Sequence, residues 1–141
     1  MSSMLGKSVL ITGGGSGIGR GVARHFAMQG AKVTISGRRE KKLAETSNEM
    51  NGEIAYVVGD VTREDDRKSM IENSVQYGGR LDALISNAGN MYRSDVSDLD
   101  EDELLSIFHS NVIAGMMLVK EAYDHLKRSQ GCIIFVLSLI H

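Results

Sequence analysis

Apolar residues fall along this chain in two alternating arrangements: short unbroken runs, and longer stretches with one apolar position in every three or four. The runs are Ser8-Val9-Leu10-Ile11, Lys32-Val33-Thr34-Ile35-Ser36, Ile54-Ala55-Tyr56-Val57-Val58, Leu81-Asp82-Ala83-Leu84-Ile85 and Cys132-Ile133-Ile134-Phe135-Val136-Leu137. Each predicts a strand. Between the first two, Ile18, Val22 and Phe26 recur at helical spacing before a stop at Gly30. A charged helix with Leu43 and Met50 inward follows, ended by Asn51-Gly52. Met70, Ile71, Ser74 and Val75 mark the inward face of a third helix, started by a Thr62/Asp65 capping box and ended by Gly78-Gly79. The acidic run from Asp98 to Glu103 suits the start of a long fourth helix. Its predicted apolar side is Leu104, Ile107, Phe108, Val112, Gly115, Met116, Val119 and Leu126.

The last run is apolar on both faces, as a strand inside a parallel sheet with helices above and below must be. Strand and helix alternate throughout, and right-handed crossovers turn that order into an α/β fold: a doubly wound parallel sheet of about five strands with helices on both faces. Its ligand crevice lies at the carboxyl ends of the strands, and every polar residue of interest follows such an end.

Composition narrows the picture in a few places. With 141 residues, 42% of them apolar, the chain reads as one domain over 1–141 with a real core. A net charge of −2 argues against nucleic acid or an anionic membrane as partner. The single cysteine, Cys132, cannot form an internal disulfide, and inside an apolar run it reads as a buried, inert thiol. No apolar stretch approaches the ~20 residues of a membrane span and no targeting segment is evident, so a cytoplasmic location is expected. The four histidines are scattered without metal-ligand spacing, and no metal site is expected.

The chemistry begins at Thr12-Gly13-Gly14-Gly15-Ser16-Gly17-Ile18-Gly19, between the first strand and the first helix. A strand that runs through glycines into a helix leaves backbone N–H groups unpaired at the helix's positive end, where a pyrophosphate supplies acceptors. No register of the run satisfies G-x-G-x-x-G. Thr12, Gly13, Gly17 and Gly19 instead satisfy Thr-Gly-x-x-x-Gly-x-Gly, the pattern of the short-chain dehydrogenase/reductase family, which the chain resembles.

That resemblance implies a Rossmann-type dinucleotide-binding domain, with Gly13, Gly15, Ser16, Gly17, Ile18 and Gly19 around the pyrophosphate. It implies that Asp60 and Val61 border the adenine, and that Asn87-Ala88-Gly89 borders the cofactor and ties neighbouring strands. It gives two residues catalytic parts: Asn111, whose counterpart kinks its helix and holds a water in a proton relay, and Ser138, whose counterpart donates to the substrate's carbonyl oxygen. Leu137 and His141 depart from the family pattern around that serine. The expected reaction is hydride transfer between nicotinamide and a small carbonyl or alcohol substrate, with a homo-oligomer expected of the full-length form.

The end of the second strand bears on the cofactor. NAD enzymes place a carboxylate there for the ribose 2′-hydroxyl, whereas this chain has Gly37, Arg38 and Arg39. Guanidinium groups in place of an acid favour a 2′-phosphate, hence NADP over NAD. Ser16 argues the other way, since many NADP enzymes of the family carry a basic residue in the glycine turn.

The family's general acid and its helper form a Tyr-x-x-x-Lys pair on the helix after the serine strand, a helix this sequence does not contain. Tyr123-Asp124-His125-Leu126-Lys127 satisfies the same expression but precedes Ser138, and reads as ordinary helix surface. The chain is therefore expected to be a truncated, inactive portion of a reductase that still binds cofactor. A non-catalytic nucleotide-binding module is the alternative. An S-adenosylmethionine-dependent methyltransferase is a third, although it would want an acid near Gly37 and leaves Asn87-Ala88-Gly89 unexplained.

Overall fold

The computed structural model describes residues 3–137. Five strands, β1 (Ser8–Thr12), β2 (Lys32–Gly37), β3 (Ile54–Val58), β4 (Ala83–Ser86) and β5 (Cys132–Phe135), form one sheet in the order β3-β2-β1-β4-β5. All four pairings are parallel. Because β1 is central, Val9 pairs with Val33 on one side and Ala83 on the other, and strand order reverses between β1 and β4. That reversal is where a doubly wound sheet opens a crevice.

Alternation along β1 splits the core between the two faces. Val9 and Ile11 pack with Val33, Ile35, Ile54 and Ile85 beneath α1 (Gly17–Met28) and α2 (Glu40–Glu49). Leu10 and Leu84 point the other way, onto Met70 and Ile71 of α3 (Glu64–Gly78) and Leu118, Ala122 and Leu126 of α5 (Ala114–Ser129). Both faces of β1 are thus covered, which is why it reads as a continuous apolar run.

Several details differ from the sequence-based expectation. The inward face of α1 is Gly19, Ala23 and Ala27; Val22 and Phe26 flank the core, and Ile18 is exposed. The helix sits so close to the sheet that small residues form the contact. Thr62 does not cap α3: the N-cap is Arg63, with no side-chain cap. The Thr62 hydroxyl bonds Asp60 Oδ1 instead, at 2.8 Å. The single long helix expected after the acidic run is α4 (Glu101–Phe108), a π-helical turn (His109–Ile113) and α5. Asp100 caps α4 by accepting the Glu103 N–H at 2.9 Å. Phe108, Val112 and Met116 lie on an exposed stripe, and the buried positions are Ser110, Ala114, Gly115, Leu118, Ala122 and Leu126. Cys132 is exposed, because β5 is an edge strand with every residue exposed. No helix among the described residues is long and apolar enough to cross a membrane.

Candidate functional site

The glycine turn occupies the carboxyl end of β1. Gly13 has φ 69°, a left-handed conformation that disfavours any side chain, and its N–H donates to the Ser36 carbonyl at 2.8 Å. Gly19 lies against the turn so closely that a Cβ would collide with the Gly13 carbonyl oxygen. The N–H of Gly14 also donates to the Ser36 carbonyl, at 3.1 Å, and α1 starts at Gly17. Ser16 at the N-cap makes no side-chain cap, and the first turn of α1 contains no acid, so neither offsets that positive end.

Asn87-Ala88-Gly89 forms the opposite wall, on the far side of the strand reversal. The backbone N–H groups of Asn87 and Ala88 donate to Thr12 Oγ1 at 3.1 and 3.0 Å. The Asn87 side-chain amide donates to the carbonyls of Thr12 and Gly13 at 3.1 and 3.2 Å. One threonine and one asparagine thus bolt the β4 end onto the glycine turn.

The third side is basic. Past Gly37, Arg38 Nη2 donates to Asn90 Oδ1 at 3.2 Å, bridging the ends of β2 and β4. Arg39 Nη2 donates to Ser16 Oγ at 3.3 Å, and Lys42 lines the same space. The last side is the loop after β3, where Asp60 Oδ1 accepts the N–H and the hydroxyl of Thr62, at 2.9 and 2.8 Å. Partial burial raises the Asp60 carboxyl, but the Thr62 bonds and the charges of Arg38 and Arg63 outweigh it and hold the group below the ordinary carboxylate range. It is ionised at neutral pH.

These walls enclose an open groove of about 650 Å³. It brings together Gly13, Gly15, Ser16, Gly17, Ile18, Arg38, Arg39, Asp60, Val61, Asn87, Ala88 and Gly89. Gly19 stands behind the turn and does not line it. Ile18, read in the sequence both as an inward helix position and as part of the pyrophosphate turn, is exposed and lines the groove. Sequence reasoning passed over Lys42, Asn90 and Ser110, which also line it. Lys42 lies in the first turn of α2, just past Arg38 and Arg39, a signal the sequence did carry. Nothing local marked Asn90 or Ser110.

Asn111 sits in the π turn, outside the lining. Its side chain pairs with the backbone of Asn90 in both directions, accepting the N–H at 2.7 Å and donating to the carbonyl at 2.8 Å. A π turn in an α-helix marks functional sites often enough to be informative. Tyr123 is exposed on α5 with the Lys127 ammonium 5.8 Å from its ring centre, and neither lines the groove. Ser138 and His141 lie outside the described residues.

Comparison with known proteins places this geometry among relatives. A family model described as short chain dehydrogenase matches residues 7–141. An uncharacterised oxidoreductase of Thermotoga maritima is 38% identical over 92% of this chain and 52% of its own length. Cis-2,3-dihydrobiphenyl-2,3-diol dehydrogenase of Paraburkholderia xenovorans is 36% identical over 94% of this chain and 50% of its own. A short-chain dehydrogenase/reductase of unknown function from Caenorhabditis elegans, solved with cofactor, superposes with a TM-score of 0.90 at 33% identity, covering 96% of this chain and 54% of that one. The chain spans about half the length of the curated relatives it matches.

Proposed function

The chain belongs to the short chain dehydrogenase family, and from that premise we propose that its groove binds the adenosine diphosphate end of a nicotinamide cofactor, NADP in preference to NAD. The observation that carries the reading is the uncapped, acid-free start of α1 beside a glycine turn with no room for a Cβ at Gly19. Such an end accepts an anion without displacing any group of the protein. Gly13, Gly15, Ser16, Gly17 and Ile18 would surround the pyrophosphate, with Gly19 giving the backbone its close approach. Asp60 and Val61 would border the adenine, and Asn87-Ala88-Gly89 the middle of the cofactor.

The preference for NADP rests on Gly37, Arg38 and Arg39 standing where a carboxylate would otherwise accept a 2′-hydroxyl. A guanidinium–phosphate bond contributes about 1.5–3 kcal/mol, roughly tenfold to a hundredfold in affinity.

When bound, the cofactor supplies or accepts the hydride exchanged with a small carbonyl or alcohol. Asn111 would support the proton relay from its place in the π turn, and Ser138 would hold the substrate oxygen by hydrogen bonding. A general acid is a separate need, and no tyrosine lines the groove among the described residues. The 141 residues are therefore read as binding cofactor without turnover. Losing the general acid alone costs ~10²–10⁴ in rate.

Calorimetric titration with 2′,5′-ADP and 5′-AMP tests the binding reading. Tighter 2′,5′-ADP binding that disappears in Arg38→Ala is expected; equal affinities, or an unchanged preference in the variant, would overturn it. NADPH oxidation with a panel of ketones and aldehydes tests the rest, and turnover abolished by Tyr123→Phe would show that tyrosine to be the acid.

A further inference from the structure

Arg67 is a charged residue in a place where packing alone would be served by an apolar one. It lies on the inward face of α3 beside Met70 and Ile71, and only 4% of it is exposed. Its guanidinium makes three bonds. Nε and Nη2 donate to the two carboxylate oxygens of Glu121 on α5, at 2.8 and 3.0 Å, and Nη1 donates to the Val61 carbonyl at 2.9 Å. Glu121 is nearly as buried, its side chain 11% exposed.

A buried ion pair is poor evidence for stability, since desolvating both ions cancels most of their attraction. The pair does, however, define a position. The planar fork is fixed by two bonds to Glu121, so the remaining N–H holds the Val61 carbonyl at a set distance from α5. Val61 lines the groove, and the same rod of helix reaches the opposite wall through Asn111 and Asn90. Both walls are therefore tied to the continuous segment formed by the π turn and α5.

We propose that Arg67, oriented by Glu121, is a positioning residue for the adenine end of the cofactor, setting the Val61 wall through its carbonyl. The proposal rests on reading the groove as a nucleotide site, and the probes below separate the two. Inorganic pyrophosphate reports the glycine turn, and 5′-AMP reports the adenine wall as well.

The double variant Arg67→Met/Glu121→Leu removes both charges together and leaves an apolar contact between α3 and α5. In the full chain its thermal transition should stay close to that of the parent, and its pyrophosphate affinity should be unchanged. Its affinity for 5′-AMP should fall about tenfold, the scale of one hydrogen bond to a charged group. Arg67→Lys keeps the charge beside Glu121 but loses the fork, and should lose about threefold in 5′-AMP affinity alone, on the same scale. Equal losses for both probes in the double variant, or no loss for 5′-AMP in either variant, would overturn the proposal. A parent chain that binds pyrophosphate but gains nothing from the adenosine of 5′-AMP would overturn it too, and a parent that binds neither probe would overturn the nucleotide reading itself. Should the double variant fail to fold, Arg67→Lys decides alone.

Discussion

Asn87 donates twice to Thr12: its backbone N–H to Thr12 Oγ1, and its side-chain amide to the Thr12 carbonyl, each at 3.1 Å. The threonine is 1% exposed, and its hydroxyl also accepts from Ala88. Thr12→Val keeps the shape but leaves two N–H groups without their acceptor, so it should destabilise the fold by about 1–3 kcal/mol. At roughly 2–4 °C for each kcal/mol, the loss is readable in a circular-dichroism melt. Thr12→Ser should recover most of it, and a Thr12→Val melt matching the parent would show that these bonds hold nothing.

Asn90 faces Arg38 across the groove mouth at 3.2 Å. Asn90→Asp would set a carboxylate against the guanidinium and compete with a 2′-phosphate for it. Affinity for 2′,5′-ADP should fall about tenfold relative to 5′-AMP, the lower end of what a charged hydrogen bond contributes. An unchanged ratio in calorimetry would remove Arg38 from 2′-phosphate recognition.

Asp82 joins the start of β1 to the segment entering β4. It accepts the Ser8 N–H at 2.9 Å and pairs with Arg80 at 2.7 Å and Lys7 at 3.4 Å. Burial raises its carboxyl, but the Ser8 N–H, Arg80 and Lys7 together outweigh that and lower it overall. A carboxyl lowered on folding contributes stability that is complete above its unfolded value, ~3.9, and is lost as pH falls through the lower folded value. Asp82→Asn should therefore be less stable than the parent by about 1–3 kcal/mol at pH 7, with the gap closing below about pH 4. Urea melts across that range would show it, and a gap independent of pH would contradict it.

Thr34 is fully buried in β2, and its hydroxyl has no hydrogen-bond partner among the described residues. A buried, unpaired hydroxyl is unfavourable by about 1–3 kcal/mol. Thr34→Val replaces it with a methyl of the same shape and should raise the thermal midpoint by a few degrees. A lower midpoint would mean that the hydroxyl has a partner.

The strands and their alternation with helices were legible because strands buried on both faces are written as unbroken apolar runs, and Val9 to Ile11 is one. The groove was legible where chemistry forces a residue type, at Gly13 and at Asn87-Ala88-Gly89. Legibility failed wherever the contact surface is small or the covering element is distant in sequence. The inward face of α1 is glycine and alanine, so the larger Ile18, Val22 and Phe26 suggested a face rotated from the true one. Phe108, Val112 and Met116 keep helical spacing yet stay exposed, since spacing records an apolar stripe and not whether this chain covers it. Arg67 carried no mark in the sequence, because its partner Glu121 is 54 residues away.

The strand order also divides the site along the chain. β1 meets β2 after one short crossover, so the glycine turn, the arginines and the Asp60 loop can assemble from the first half of the chain. Their partner wall is 75 residues from Thr12 and waits for β4 to dock. Closing the roughly threefold longer loop adds only about 1 kcal/mol of entropy, but every contact across the seam depends on that one event. The groove thus straddles the seam between the two halves of the sheet, and a nucleotide lying across it would tie them together.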